Sequence, residues 1–130
     1  MRVLICGSRN DGLERRVPIA RCIDKIVHAI SPCRSVTMVI HGDCPTGADS
    51  IAREVASLLG AHSMEFRANW ISHGRSAGPI RNQAMIDEKP EVVVALWDGI
   101  SPDTLDTIKR ATLAGIPIFI APTTWEGDAV

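Results

Sequence analysis

The chain begins with a continuous apolar run, residues 2–6, that stops at Gly7-Ser8-Arg9. A run without polar alternation fits a strand covered on both faces. Similar short runs recur at residues 36–40, 91–97 and 116–121, with a weaker one at 62–66. Between them the apolar spacing changes to the 3.6-residue period of a helix. Ile19, Ile23, Ile26, Val27 and Ile30 mark one helix, with Pro18 in its first turn. Ala48, Ile51, Ala52, Val55 and Leu59 mark a second, closed by Gly60. Residues 69–81 lack apolar periodicity and are rich in Gly, Ser and Arg, which predicts a loop. A short helix is predicted over 79–88, with Arg81 and Asn82 in its first turn. Residues 98–103 read as a polar loop, and Thr104, Ile108, Ala111 and Gly115 carry the last helical register.

Strands and helices therefore alternate along the whole chain. That order predicts an α/β fold, a single Rossmann-like three-layer domain with a mostly parallel sheet of about five strands. The domain is expected over residues 1–121, followed by a C-terminal tail over 122–130. No internal repeat or linker composition divides the 130 residues.

Composition narrows the picture. Hydrophobic residues make up 45% of the chain, but it has only three Trp, two Phe and no Tyr. The core must be built from Ile, Val, Leu and Ala. The net charge of −1 lacks the basic excess typical of a protein held on nucleic acid by phosphate contacts. The four cysteines, at 6, 22, 33 and 44, show no C-x-x-C spacing and read as free thiols of a reducing compartment. The reactivity of Cys44 is left open. No signal segment and no apolar run of roughly 20 residues is present, so the cytoplasm is the expected location and no membrane is implied.

In open parallel sheets, ligands bind beyond the carboxyl ends of the strands. Three segments fall at such ends: Gly7-Ser8-Arg9, residues 42–49 and residues 98–104. Gly42 and Gly47 flank a strand-to-helix loop in which the backbone can approach a phosphate, with the helix N-terminus behind it. Ala48-Asp49 stands where a Walker A loop needs Lys-Ser/Thr. Taken alone, the segment also fits a tight turn with Asp49 complementing the helix dipole. Arg9 offers a planar fork for a phosphate, or is a surface residue after a turn. Trp70, Arg81 and Asn82 accompany Gly78-Pro79, read as another anion-accepting helix start. Ser101-Pro102 fits an N-cap followed by proline, and Asp98 could bind ribose hydroxyls, act as a base or hold a cation. His41, Asp43 and Cys44 lie close together but lack a second ligand cluster, so no metal site is read. There is no G-x-S-x-G elbow.

GSR at 7–9, HGDCPTGAD at 41–49, NW at 69–70, HGRSAGPIRNQAM at 73–85 and WDGISPDT at 97–104 occur in this order. Together they resemble the YspA/YpsA-related branch of the SLOG superfamily, Rossmann-like proteins related to the cytokinin-activating phosphoribohydrolases and more distantly to DprA. The resemblance implies a nucleotide or nucleotide-derived ligand, contacted by Gly7, Ser8, Arg9, Gly42, Gly47, Ala48, Asp49, Gly78, Arg81, Asn82, Ser101 and Thr104. Thr46, Trp70 and Asp98 complete the candidate set. Two positions depart from the pattern. Asp103 stands where the family's Ser-x-Gly-Thr loop has glycine, so the phosphate sits elsewhere or Asp103 faces a ribose hydroxyl or a cation. Thr107 stands where the phosphoribohydrolases carry a Glu.

The leading expectation is a ligand-binding module, a sensor or sequestering protein. The alternatives are a nucleotide N-glycosidic hydrolase or transferase, with Asp49 or Asp98 replacing the missing acid, and a DprA-like nucleic-acid accessory protein. No cofactor is assigned, although a divalent cation could accompany the nucleotide. Related proteins often form homo-oligomers, but no patch for one can be read here.

Overall fold

A computed structural model of the chain describes residues 1–7, 16–42, 48–97 and 99–122, with only the backbone of residues 48–50, 121 and 122. Strand β1 spans Arg2–Gly7, helix α1 Arg16–Ile30, β2 Met38–Gly42, α2 Ala48–Leu58 and β3 His62–Phe66. A short helix α3, Trp70–His73, passes through a 3₁₀ turn at Gly74–Ser76 into α4, Ala77–Asp87. Strand β4, Val92–Trp97, helix α5, Pro102–Leu113, and β5, Ile118–Pro122, follow.

All five strands are parallel, in the order β3-β2-β1-β4-β5. Alternation along β1 sends Val3 and Ile5 to one face and Leu4 and Cys6 to the other, and both sets are buried. This double burial is why the run shows no polar alternation. Ile19, Ile23 and Val27 of α1, with Ile51 and Val55 of α2, cover the first face. Met85 and Ile86 of α4, with Ala111 of α5, cover the second. The expected three-layer α/β architecture is therefore present. No described helix is long and apolar enough to cross a membrane.

Several boundaries differ from the sequence reading. The segment predicted as a loop over 69–81 is mostly helical. Asn69 caps α3, its side chain accepting a hydrogen bond from the Ser72 amide at 3.1 Å. The segment carries no apolar period because α3 buries nothing; Ile71 is fully exposed. Helix α4 starts two residues before Pro79, which loses no helical hydrogen bond in that first turn. Arg81 and Asn82 consequently lie in its second turn, not its first. The Ala77 amide donates to the Gly74 carbonyl, so this helix start is not the bare anion site expected. Strand β2 lies two residues later than predicted because His41, though polar, is fully buried within it. Strand β5 also sits later and includes Pro122, the first residue of the expected tail.

Ile23 is completely buried between α1 and the sheet. Ile23→Ala should destabilise the fold by about 2–5 kcal/mol. Urea titration should show a lower midpoint with an unchanged slope.

Candidate functional site

The strand order reverses between β1 and β4, since the chain adds β2 and β3 on one side of β1 and β4 and β5 on the other. Ligands in open parallel sheets favour the crevice outside such a reversal. Here a recess with an empty volume of about 250 Å³ opens beside the ends of β1 and β2. Cys6, Gly7 and Gly42 form its floor, with Arg81, Asn82 and Met85 from α4 and Asp103, Thr104 and Thr107 from α5 as walls. Helical spacing accounts for the walls: 81, 82 and 85 share one face of α4, and 103, 104 and 107 share one face of α5.

Local sequence fixes the start of α5. The Trp97 indole N–H donates to the Ser101 carbonyl at 3.1 Å, tying down the turn that follows β4. Gly99 takes φ +86° in that turn, a conformation open to glycine at little cost. Pro102 then opens the helix, as expected. The Ser101 side chain does not make the predicted capping hydrogen bond. Gly78 in α4 admits Asp103 at close range: a Cβ there would lie 3.2 Å from Asp103 Oδ1 and 3.5 Å from Trp70 Cη2.

A charged network joins the two walls. Arg81 Nε donates to Asn82 Oδ1 at 2.9 Å, and its Nη2 donates to Asp103 Oδ2 at 3.0 Å. Asn82 Nδ2 donates to Asp103 Oδ1 and to Asp106 Oδ2, both at 3.0 Å. Arg110 Nε completes the set on Asp106 Oδ2 at 2.8 Å. The Thr107 hydroxyl donates to the Asp103 carbonyl at 3.3 Å. Two arginines thus face two aspartates, and among the described residues this network is charge-balanced. Burial opposes the charge on Asp106. Hydrogen bonds from Arg110 and Asn82, with the positive charges of Arg110 and Lys109, outweigh it and hold the carboxyl below its ordinary value of 3.8. Arg81 keeps further N–H donors beyond the two engaged here.

Of the residues singled out from the sequence, Gly7, Gly42, Arg81, Asn82 and Thr104 line the recess. Trp70 and Gly78 stand next to it through Asp103, and Ser101 supports it from behind. Ala48 and Asp49 begin α2, of which only the backbone is described at that point. Ser8, Arg9, Thr46, Gly47 and Asp98, and also Cys44, lie outside the described residues. Cys6 and Met85 were not singled out, although Met85 follows Arg81 by four and Asn82 by three. Asp103 and Thr107, noted only as departures, prove to be walls. Asp106 and Arg110 were missed entirely; their spacing of four on one helix was the available signal.

His41 is fully buried and shares its face with Val39, opposite the recess. Its Nδ1 donates to the Gly42 carbonyl at 2.6 Å, and Nε2 has no hydrogen-bond partner among the described residues. Among the described residues, no group of three or more His, Cys, Asp or Glu is placed to hold a metal ion.

Comparison with known proteins matches residues 1–73 to the YAcAr family, described as the YspA, cpYpsA-related SLOG family. Over 91% of its length the chain is 34% identical to the Gene 61 protein of Mycobacterium phage D29, covering 94% of that protein. The chain belongs to the YspA, cpYpsA-related SLOG family. The matched residues supply the floor of the recess, and its walls come from the half that follows.

The network has two testable consequences. Asn82, only 1% exposed, bridges two carboxylates, so Asn82→Ala should cost about 1–3 kcal/mol, measurable by thermal or urea unfolding. Because the Asp106 pKa is lowered on folding, its stabilisation is present above the unfolded value near 3.8 and is lost as pH falls through the folded value. Asp106→Asn should therefore be less stable at neutral pH and lose less stability than the parent between about pH 5 and pH 2.

Proposed function

We propose that this SLOG-family chain binds a nucleotide or nucleotide-derived small molecule at the carboxyl edge of its sheet, as a sensor or sequestering module. One observation carries the reading: the recess lies at the reversal of strand order, with glycine strand ends on its floor and an arginine with spare donors on its wall. Glycine lets a ligand approach the backbone closely, and the guanidinium fork suits phosphate or carbonyl oxygens. The recess is shallow, and its empty space of about 250 Å³ includes open solvent. It suits one part of a nucleotide, the remainder lying along the adjoining strand ends.

The glycosidase alternative gains no support from the recess. Cleavage of an N-glycosidic bond through a carboxylic general acid needs a proton held at neutral pH, hence a raised pKa. Asp106 is shifted the other way, and Thr107 offers a hydroxyl already committed to the Asp103 carbonyl. The nucleic-acid alternative would want a basic excess, and the net charge is −1.

A thermal-shift panel of nucleoside mono-, di- and triphosphates, cyclic dinucleotides and ADP-ribose derivatives tests the proposal. A ligand at about 100 times its Kd should add roughly 2.7 kcal/mol of stability. Absence of a shift with every member would overturn the binding reading. Incubation with nucleoside monophosphates should release no free base above a protein-free control; release would establish the glycosidase instead.

A further inference from the structure

The start of a helix ordinarily attracts an anion, because its first N–H groups are unsatisfied and its dipole is positive there. At the start of α5 that position already holds a carboxylate of the protein itself. Asp103 is the second residue of the helix, and its two oxygens are held by different donors, Oδ2 by Arg81 and Oδ1 by Asn82. Its side chain nevertheless remains 57% exposed. Each carboxylate oxygen has room for a further hydrogen bond, so the group presents two fixed acceptors to the recess. Next to it, Thr104 is 3% exposed and lines the same recess.

We infer that Asp103 is the specificity-determining residue of the site: its carboxylate accepts the two hydroxyls of a ribose and keeps phosphate away from the start of α5. The inference rests on the nucleotide reading above and adds an orientation to it. A vicinal diol offers two donors side by side, the complement of an oriented carboxylate, and Asp or Glu serves this role in other α/β folds. A phosphate in the same place would face an ionised carboxylate. It would also have to draw on Arg81, whose charge Asp103 already offsets at 3.0 Å. Thr104 can either donate to the ring oxygen or accept from a hydroxyl. A ribose held at Asp103 leaves the phosphate to the ends of β1 and β2, where Gly7 and Gly42 line the floor of the recess.

Isothermal titration of the full chain and of Asp103→Asn and Asp103→Gly separates the possibilities. The probes are the four ribonucleoside 5′-monophosphates, their 2′,3′-dideoxy counterparts and inorganic pyrophosphate, each with magnesium and with EDTA. Circular dichroism melts confirm that the variants fold, and Asp103→Asn, nearly isosteric, serves if Asp103→Gly does not. The parent chain should prefer at least one ribonucleotide over its dideoxy counterpart by about 10-fold or more, with or without magnesium. Asp103→Asn should reduce that preference to about 2-fold, and Asp103→Gly should bind pyrophosphate more tightly than the parent does. Nucleotide binding without preference for the diol, or a preference that survives in both variants, would overturn the inference while leaving the nucleotide reading intact. A preference that disappears in EDTA would overturn it in favour of a cation at Asp103. Failure of every nucleotide to bind the parent chain would overturn the nucleotide reading itself, and this inference with it.

Discussion

Parallel neighbours in a sheet can be joined only by a crossover, and crossovers in proteins are right-handed in nearly every case. The chain starts its sheet in the middle, at β1, and adds β2 and β3 to one side. It must then return across β1 to place β4 and β5. Moving in opposite directions with one handedness sends the helices of the two halves to opposite faces. That is why α1 and α2 pack with Val3 and Ile5 while α4 and α5 pack with Leu4 and Cys6. The recess is a consequence of the same constraint, because connections leave the ends of β1 and β4 in opposite directions.

What fills the space between α4 and α5 is a polar contact, not only an apolar one. Asn82 is nearly fully buried, and its amide nitrogen serves one carboxylate facing the recess and one behind it. A buried polar network is stabilising only when its members are satisfied. Here Arg81 and Arg110 close it from either side. The rigidity this gives to the wall is what makes Asp103 an oriented group instead of a mobile surface acid. Gly78 belongs to the same arrangement: any side chain there would push on Asp103 Oδ1. Stability and the shape of the recess thus share residues, and a variant at Asn82 would disturb both.

The fold was largely legible in the sequence because burial on both faces leaves a signature that needs no tertiary knowledge. A run such as Val92 to Leu96 fits little besides a strand covered on both sides. Legibility failed where the local signal and the tertiary environment diverge. Helix α3 is exposed, so apolar period could not reveal it, and only the Asn69 cap marks its start. His41 reads as a loop residue, yet strand pairing holds it in β2, where it is completely buried. At the site, glycine and arginine positions could be picked out because their chemistry is local. The pairing of Arg81 with Asp103 joins residues 22 apart, and nothing in either segment announces it. Asp103 therefore looked like a departure from a pattern when it is a built part of the wall.

The two edges of the sheet divide their tasks by how they use charge. On the amino edge, Arg34 and Arg2 pair with Glu91 and Glu88 at exposed positions. The hydrogen bond from Arg34 is the largest influence lowering the Glu91 pKa, against an opposing effect of burial. Such exposed pairs contribute little to stability, typically under about 1 kcal/mol each. On the carboxyl edge, opposite charges are matched inside a recess where water is partly excluded and pairing has more consequence. A site that satisfies its own charges needs no surrounding basic surface to bind a nucleotide. It also gives up the long-range steering that such a surface provides. A net charge of −1 then counts against a protein that tracks polyanions, and is compatible with one that recognises a single small ligand through oriented groups.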